Sequence, residues 1–219
     1  MGDMINKIFN VIRRVCITLL LLSASMQANA QDIQECFDEK DLERYSQVHR
    51  KLILFRSKPI INGYWNGPLP TVRLCKDSGV SKVRLEKAVR YWEKLGYEFG
   101  NIIIETNQYS CLNNGFFGEI TVLLFDQITI SSDHLAVTRT HKMTETKEIV
   151  KAEIFINKKS AEKPLVLEHE LGHALGWVHY NTRYHIMNSR YPLCGHASSG
   201  LERRNYDIEV NRIILESKH

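Results

Sequence analysis

Several features common in proteins of this length are missing from this 219-residue chain. No dense basic block accompanies a net charge of only +4, so the electrostatic footprint of nucleic-acid binding is absent. No segment reaches the roughly 18 consecutive apolar residues that a transmembrane helix needs. No two of the five cysteines stand in a Cys-x-x-Cys spacing, which argues against a zinc knuckle or a thioredoxin-type redox centre. No Asp/Asn/Gly loop of the EF-hand kind occurs, so calcium is not indicated. Internal repeats and low-complexity tracts are also absent. What is present is ordinary for a globular protein, with 43% hydrophobic and 25% charged residues. The length suits one well-buried domain, or at most two small ones.

The N-terminus has its own grammar. Lys7, Arg13 and Arg14 precede an apolar run at 15–22, and small residues follow, ending in Ala28-Asn29-Ala30. A cationic region, a short apolar core and an Ala-x-Ala site, in that order, predict a secretory signal peptide over 1–30, cleaved after Ala30. The mature chain is then expected to be secreted or periplasmic, with no stable membrane anchor. Cys16 leaves with the signal. Cys36, Cys75, Cys111 and Cys194 remain, and four cysteines in an exported chain suggest two disulfides with three possible connectivities.

Residues 31–67 are polar and mixed and end in a turn-rich stretch, which reads as an N-terminal extension that packs on the domain or is removed as a short propeptide. The domain proper is expected over 68–219. Residues 70–75 alternate apolar and polar, predicting a strand. Residues 78–95 carry Val80, Val83, Leu85, Ala88, Val89, Trp92 and Leu95 near helical spacing, with Gly96 as the stop. The continuous apolar run at 101–105 suits a central or parallel strand. A third strand follows at 119–125, and an antiparallel hairpin at 135–140 and 148–156. The predicted strands at 70–75 and 101–105 are parallel neighbours, with Cys75 and Cys111 just beyond their ends. These two cysteines are therefore expected to pair, leaving Cys36 with Cys194. Helices are predicted from near Pro164 and over 201–215. A strand–helix–strand start, further strands and two closing helices make a mixed α/β or α+β domain. The sequence carries no signal of oligomeric state.

Residues 168–179, Glu-His-Glu-Leu-Gly-His-Ala-Leu-Gly-Trp-Val-His, hold the chemistry. On a helix, His169 and His173 lie about 40° apart around the axis and about 6 Å along it, so both rings project from one face. Were the helix to continue, His179 would stand about 15 Å along the axis and about 80° off that face. Gly176 removes the difficulty, because a residue without Cβ can take the left-handed conformation that ends helices. The chain can then turn back and bring His179 to the other two rings. Three neutral imidazoles around one ion leave a tetrahedral position open, the arrangement of a catalytic zinc, which lowers the pKa of a water held there towards about 7. Glu170, about 100° around the helix from His169, stands beside such an ion and suits a general base. With nine histidines and twelve glycines in the chain, this full set arises by accident in on the order of one in ten thousand such chains.

His169-Glu170-x-x-His173-x-x-Gly176-x-x-His179 resembles the zinc-binding motif of the metzincin metalloendopeptidases. The resemblance implies one catalytic Zn2+, a peptide or protein substrate, and a zincin domain: a twisted mixed sheet of about five strands, an active-site helix and a C-terminal helix. It also implies a methionine turn beneath the site, and Met187 stands at an interval similar to that of the matrixins. The predicted strand beginning at Leu135 and Ala136 resembles the edge strand that borders the cleft and pairs with an extended peptide. Tyr191 resembles a wall residue of the pocket just past the scissile bond. The matrixin Pro-Arg-Cys-Gly latency segment is absent, so a blocking role for Cys36 has no support. Ser189 replaces the tyrosine that astacins and serralysins carry two residues after the methionine. Asp133, His134 and His141 lack the spacing of a matrixin structural-metal loop. The alternative to a peptidase is an exported zinc-containing binding protein without turnover, for which Glu170 would be unnecessary.

Overall fold

Among the described residues, alternating and continuous apolar runs form five strands: β1 (Thr71–Cys75), β2 (Ile102–Glu105), β3 (Glu119–Leu124), β4 (Ala136–Lys142) and β5 (Ile149–Ile156). Three α-helices accompany them there: α1 (Lys82–Glu93), α2 (Val166–Ala174) and α3 (Arg203–Glu216). The computed structural model describes residues 58–67, 70–106, 111, 117–124, 134–190 and 197–217. All fall in the second of two compact units, Leu52–His219.

The strands make one mixed α/β sheet in the order β2-β1-β3-β5-β4. β1 is parallel to both β2 and β3, and β3 is parallel to β5. Only β4 runs antiparallel, at the far edge, with Ala136 opposite Ile156 and Thr140 opposite Ala152. The run at 101–105, which suits a central or parallel place, forms a parallel strand with a single neighbour, and its side chains are half-buried or exposed. An apolar run reports that a strand is partly covered, not how many strands flank it.

One face of the sheet presents Val72, Leu74, Ile120, Val122, Ala152, Ile154 and Ile156, all buried. Leu85, Ala88, Val89 and Trp92 of α1 and Leu167, Leu171 and Ala174 of α2 complete this core. A buried ring the size of Trp92 removes about 150–250 Å² from water, worth on the order of 4–6 kcal/mol at 25 cal/mol per Å². α1 starts where Ser81 Oγ accepts the backbone N–H of Arg84 at 3.1 Å, an N-cap that satisfies a helix-end donor. On the opposite face, Arg73 donates Nε and Nη2 to the two oxygens of Glu119 and Nη1 to Glu105, each at 2.8 Å.

Cys75, at the end of β1, is bonded to Cys111, the pairing expected from the strand positions. With the partners 36 positions apart, the crosslink contributes about 4 kcal/mol on a chain-entropy account. Cys36 and Cys194, the other expected pair, lie outside the described residues, as do residues 1–30 and Tyr191. Among the described residues, no helix is long and apolar enough to cross a membrane.

Residues 58–67 pack on the domain. Ile61, Tyr64 and Trp65 are buried, Ile61 forms an antiparallel bridge with Trp177, and Tyr64 bridges Glu148. The Trp65 indole donates to Ala174 O at 2.9 Å, and its backbone N–H donates to the Tyr206 hydroxyl at 2.9 Å.

Candidate metal centre

α2 carries the first two histidines. It begins at Val166, after Leu165 in the left-handed region at φ 64°. Pro164 therefore precedes the helix instead of occupying its first turn. At the other end, Gly176 takes φ 104°, Trp177 N–H reaches Gly172 O at 3.0 Å, and Gly176 N–H reaches His173 O at 2.9 Å. Those two bonds are the paired closure of a Schellman motif. Gly176 is required twice over, since a Cβ built there would stand 2.1 Å from Gly63 O. The same neighbouring strip secures the exit: Asn62 N–H donates to Gly176 O at 3.0 Å and Val178 N–H to Ile60 O at 3.2 Å.

The chain turns back as the spacing requires. His173 Nε2 lies 3.1 Å from His169 Nε2 and 3.1 Å from His179 Nε2, and the three rings form a group that could hold a metal ion. Nitrogens bound tetrahedrally at 2.0–2.1 Å to one ion stand about 3.3 Å apart, so the three donors fit such an ion. The other ring nitrogens of His169 and His173 are occupied. His169 Nδ1 donates to Ile186 O at 2.6 Å, and His173 Nδ1 donates to Trp177 O at 2.8 Å. Those bonds select the tautomer that leaves the Nε2 lone pairs facing one another. Burial lowers all three pKa values, His169 to about 4 and His173 to about 3. Neutral imidazoles are the metal-binding form.

Glu170 is buried, and its carboxyl is pushed up to about 7 by burial, against the opposing hydrogen bond from Thr138. Thr138 Oγ1 lies 2.6 Å from Glu170 Oε2. Sequence reading passes over Thr138, because one polar residue in an alternating strand has no distinguishing mark. Only the docking of α2 against β4 reveals it.

Met187 lies fully buried beneath α2. A Cβ on Gly172 would meet its Sδ at 2.4 Å and the Trp92 ring at 2.8 Å, so the close approach of the methionine depends on the missing side chain. Tyr180 N–H donates to Met187 O at 2.8 Å, and Met187 N–H donates to His185 Nδ1 at 3.1 Å. Met187 is thereby tied to the loop that carries His179.

A cleft of about 660 Å³ opens over the three histidines, lined also by Leu135, Ala136, Glu170, Asn188 and Ser189. His134 lines it too, whereas His141 turns away to pair with Glu153 at 2.8 Å. Asp133 lies outside the described residues.

No protein-family model matches the chain. No curated protein matches it either. Among solved structures, it is similar to the crystal structure of metalloproteinase-II from Bacteroides fragilis, at 16% sequence identity and a TM-score of 0.43. The match covers 75% of this chain and 60% of that one, so this chain spans about 60% of its length.

Proposed function

We propose that this protein is an exported zinc-dependent endopeptidase of the metzincin type, hydrolysing peptide bonds in a peptide or protein substrate. The convergence of three imidazoles carries this reading, with His173 Nε2 standing 3.1 Å from the Nε2 atoms of both His169 and His179. His169, His173 and His179 would hold the ion, with Met187 beneath. When bound, zinc supplies Lewis acidity, which polarises a carbonyl and acidifies a water.

The chain's own residues do the rest. Among the described residues, β4 is the edge strand of the sheet, paired with β5 on one side only. An extended peptide can add there as a further strand, along Leu135 and Ala136 and over the histidines. Glu170 takes a proton from the attacking water and delivers it to the departing amine nitrogen. Burial raises its pKa, which makes the carboxylate a readier proton acceptor. The Cys75–Cys111 bond is in keeping with an oxidising compartment.

Replacing Glu170 by Ala tests the reading. The purified protein is expected to hold about one zinc per chain and to cleave a mixed peptide library. Glu170→Ala is expected to keep the zinc and lose activity by about 10²–10⁴-fold, the usual contribution of general base catalysis. Undiminished cleavage by that variant would refute the mechanism, and a zinc-loaded parent without cleavage would identify a binding protein.

A further inference from the structure

We propose that Thr138 is a positioning residue for Glu170: its hydroxyl engages Oε2, leaving Oε1 to receive and return the proton. This rests on the peptidase reading above. Thr138 Oγ1 lies within reach of two acceptors on the same residue, Glu170 Oε2 at 2.6 Å and the Glu170 backbone O at 3.1 Å. A hydroxyl carries one proton and serves one of them at a time. The carboxyl oxygen is nearer, and with Glu170 ionised, as a general base must be, a 2.6 Å contact is an O–H···O⁻ bond, roughly twice as strong as a neutral one.

The placement is rigid on both sides. Thr138 sits mid-strand in β4, opposite Ile154 of β5, so the pleat sets the direction of its Cβ. Its β-branched side chain also has few χ1 choices. Glu170 belongs to α2, whose exit is closed by Gly176 and the 60–62 strip. What remains free is the last torsion of the glutamate, which is broad and exchanges the two oxygens. A donor fixed to the sheet removes that freedom. Oε1 has no hydrogen bond to protein among the described residues, whereas Oε2 has Thr138.

The proton balance closes without Thr138 changing state. An O–H bond of the water breaks as its oxygen joins the carbonyl carbon, and the proton forms Oε1–H. The C–N bond then breaks, Oε1–H gives up its proton, and an N–H bond forms on the amine. Oε2 accepts from Thr138 throughout.

The test compares Thr138→Val, which keeps the shape and removes the donor, with Thr138→Ser, which keeps the donor and removes the methyl. In the zinc-loaded full chain, Thr138→Val is expected to lower kcat by about tenfold or more at unchanged KM and zinc content, while Thr138→Ser restores most of the loss. A Val variant within about twofold of the parent, or a Ser variant as impaired as Val, overturns the proposal. A second readout needs neither metal nor turnover. In metal-free protein, Thr138→Val is expected to lower Tm in the parent background and by less than half as much in the Glu170→Ala background. Equal shifts in the two backgrounds overturn the contact. If the parent cleaves nothing, the peptidase reading falls, while this cycle still decides whether Thr138 holds Glu170.

Discussion

Glu168 and His169 are neighbours on α2 that face different surroundings. On the side towards α1, the Glu168 carboxylate is gripped by Arg84, Nη1 to Oε1 at 2.9 Å and Nη2 to Oε2. Arg84 also donates to Lys163 O, and Trp92 Nε1 donates to Glu168 O at 2.9 Å. With side chains only 6% and 3% exposed, both charges are out of water, and each is neutralised by the other. On the cleft side, three imidazoles approach one another and none of them meets a carboxylate among the described contacts. The α1 side is electrostatically complete with protein atoms alone. The cleft side instead gathers three donors that could hold a cation, and this difference separates a structural polar cluster from a receptive one.

The largest effect is expected on the α1 side. Arg84→Met strands the Glu168 carboxylate, and breaking a buried pair by removing one partner costs about 3–5 kcal/mol. Urea unfolding of the purified variant measures it, and a loss below about 1 kcal/mol, as for an exposed pair, would erase the contrast. Next comes the ion. At one hundred times its Kd, zinc is expected to raise stability by about 2.7 kcal/mol, an increment that EDTA removes and that His179→Ala largely abolishes. An equal response from the His179→Ala protein would show that zinc binds elsewhere.

The smallest effect is that of pH on metal-free protein. His169 and His173 have folded pKa values of about 4 and about 3, below the unfolded value near 6.5. The folded chain therefore binds fewer protons than the unfolded one across this interval, so stability is full above about pH 6.5 and declines as the pH drops towards those folded values. Between pH 7 and pH 6 the loss is on the order of 1 kcal/mol. Replacing both histidines by Phe should flatten the slope, and an unchanged slope would assign the acid sensitivity to other groups.

Much of this molecule is legible in the linear chain. The strand and helix positions come from apolar spacing, and the turn at Gly176 comes from the failure of a straight helix to bring His179 to the other rings. Those signals are local, and local geometry survives in the sequence. What escapes depends on distant partners. Trp65 bonds residues 109 and 141 positions away, so nothing nearby marks residues 58–67 as part of the core. The edge position of β2 depends on which strands pair, and the role of Thr138 depends on a helix 32 residues further along.

The Ile60–Gly63 strip has a consequence for maturation. Ile60 O and Asn62 N–H serve as splints to Val178 and Gly176, on either side of the bend that delivers His179. Any protease that shortens this chain while leaving the donors assembled has to cut upstream of Ile60. Clipping as far as residue 67 would remove those splints together with the buried side chains of Ile61, Tyr64 and Trp65. The bend itself therefore sets how far the N-terminus can be trimmed.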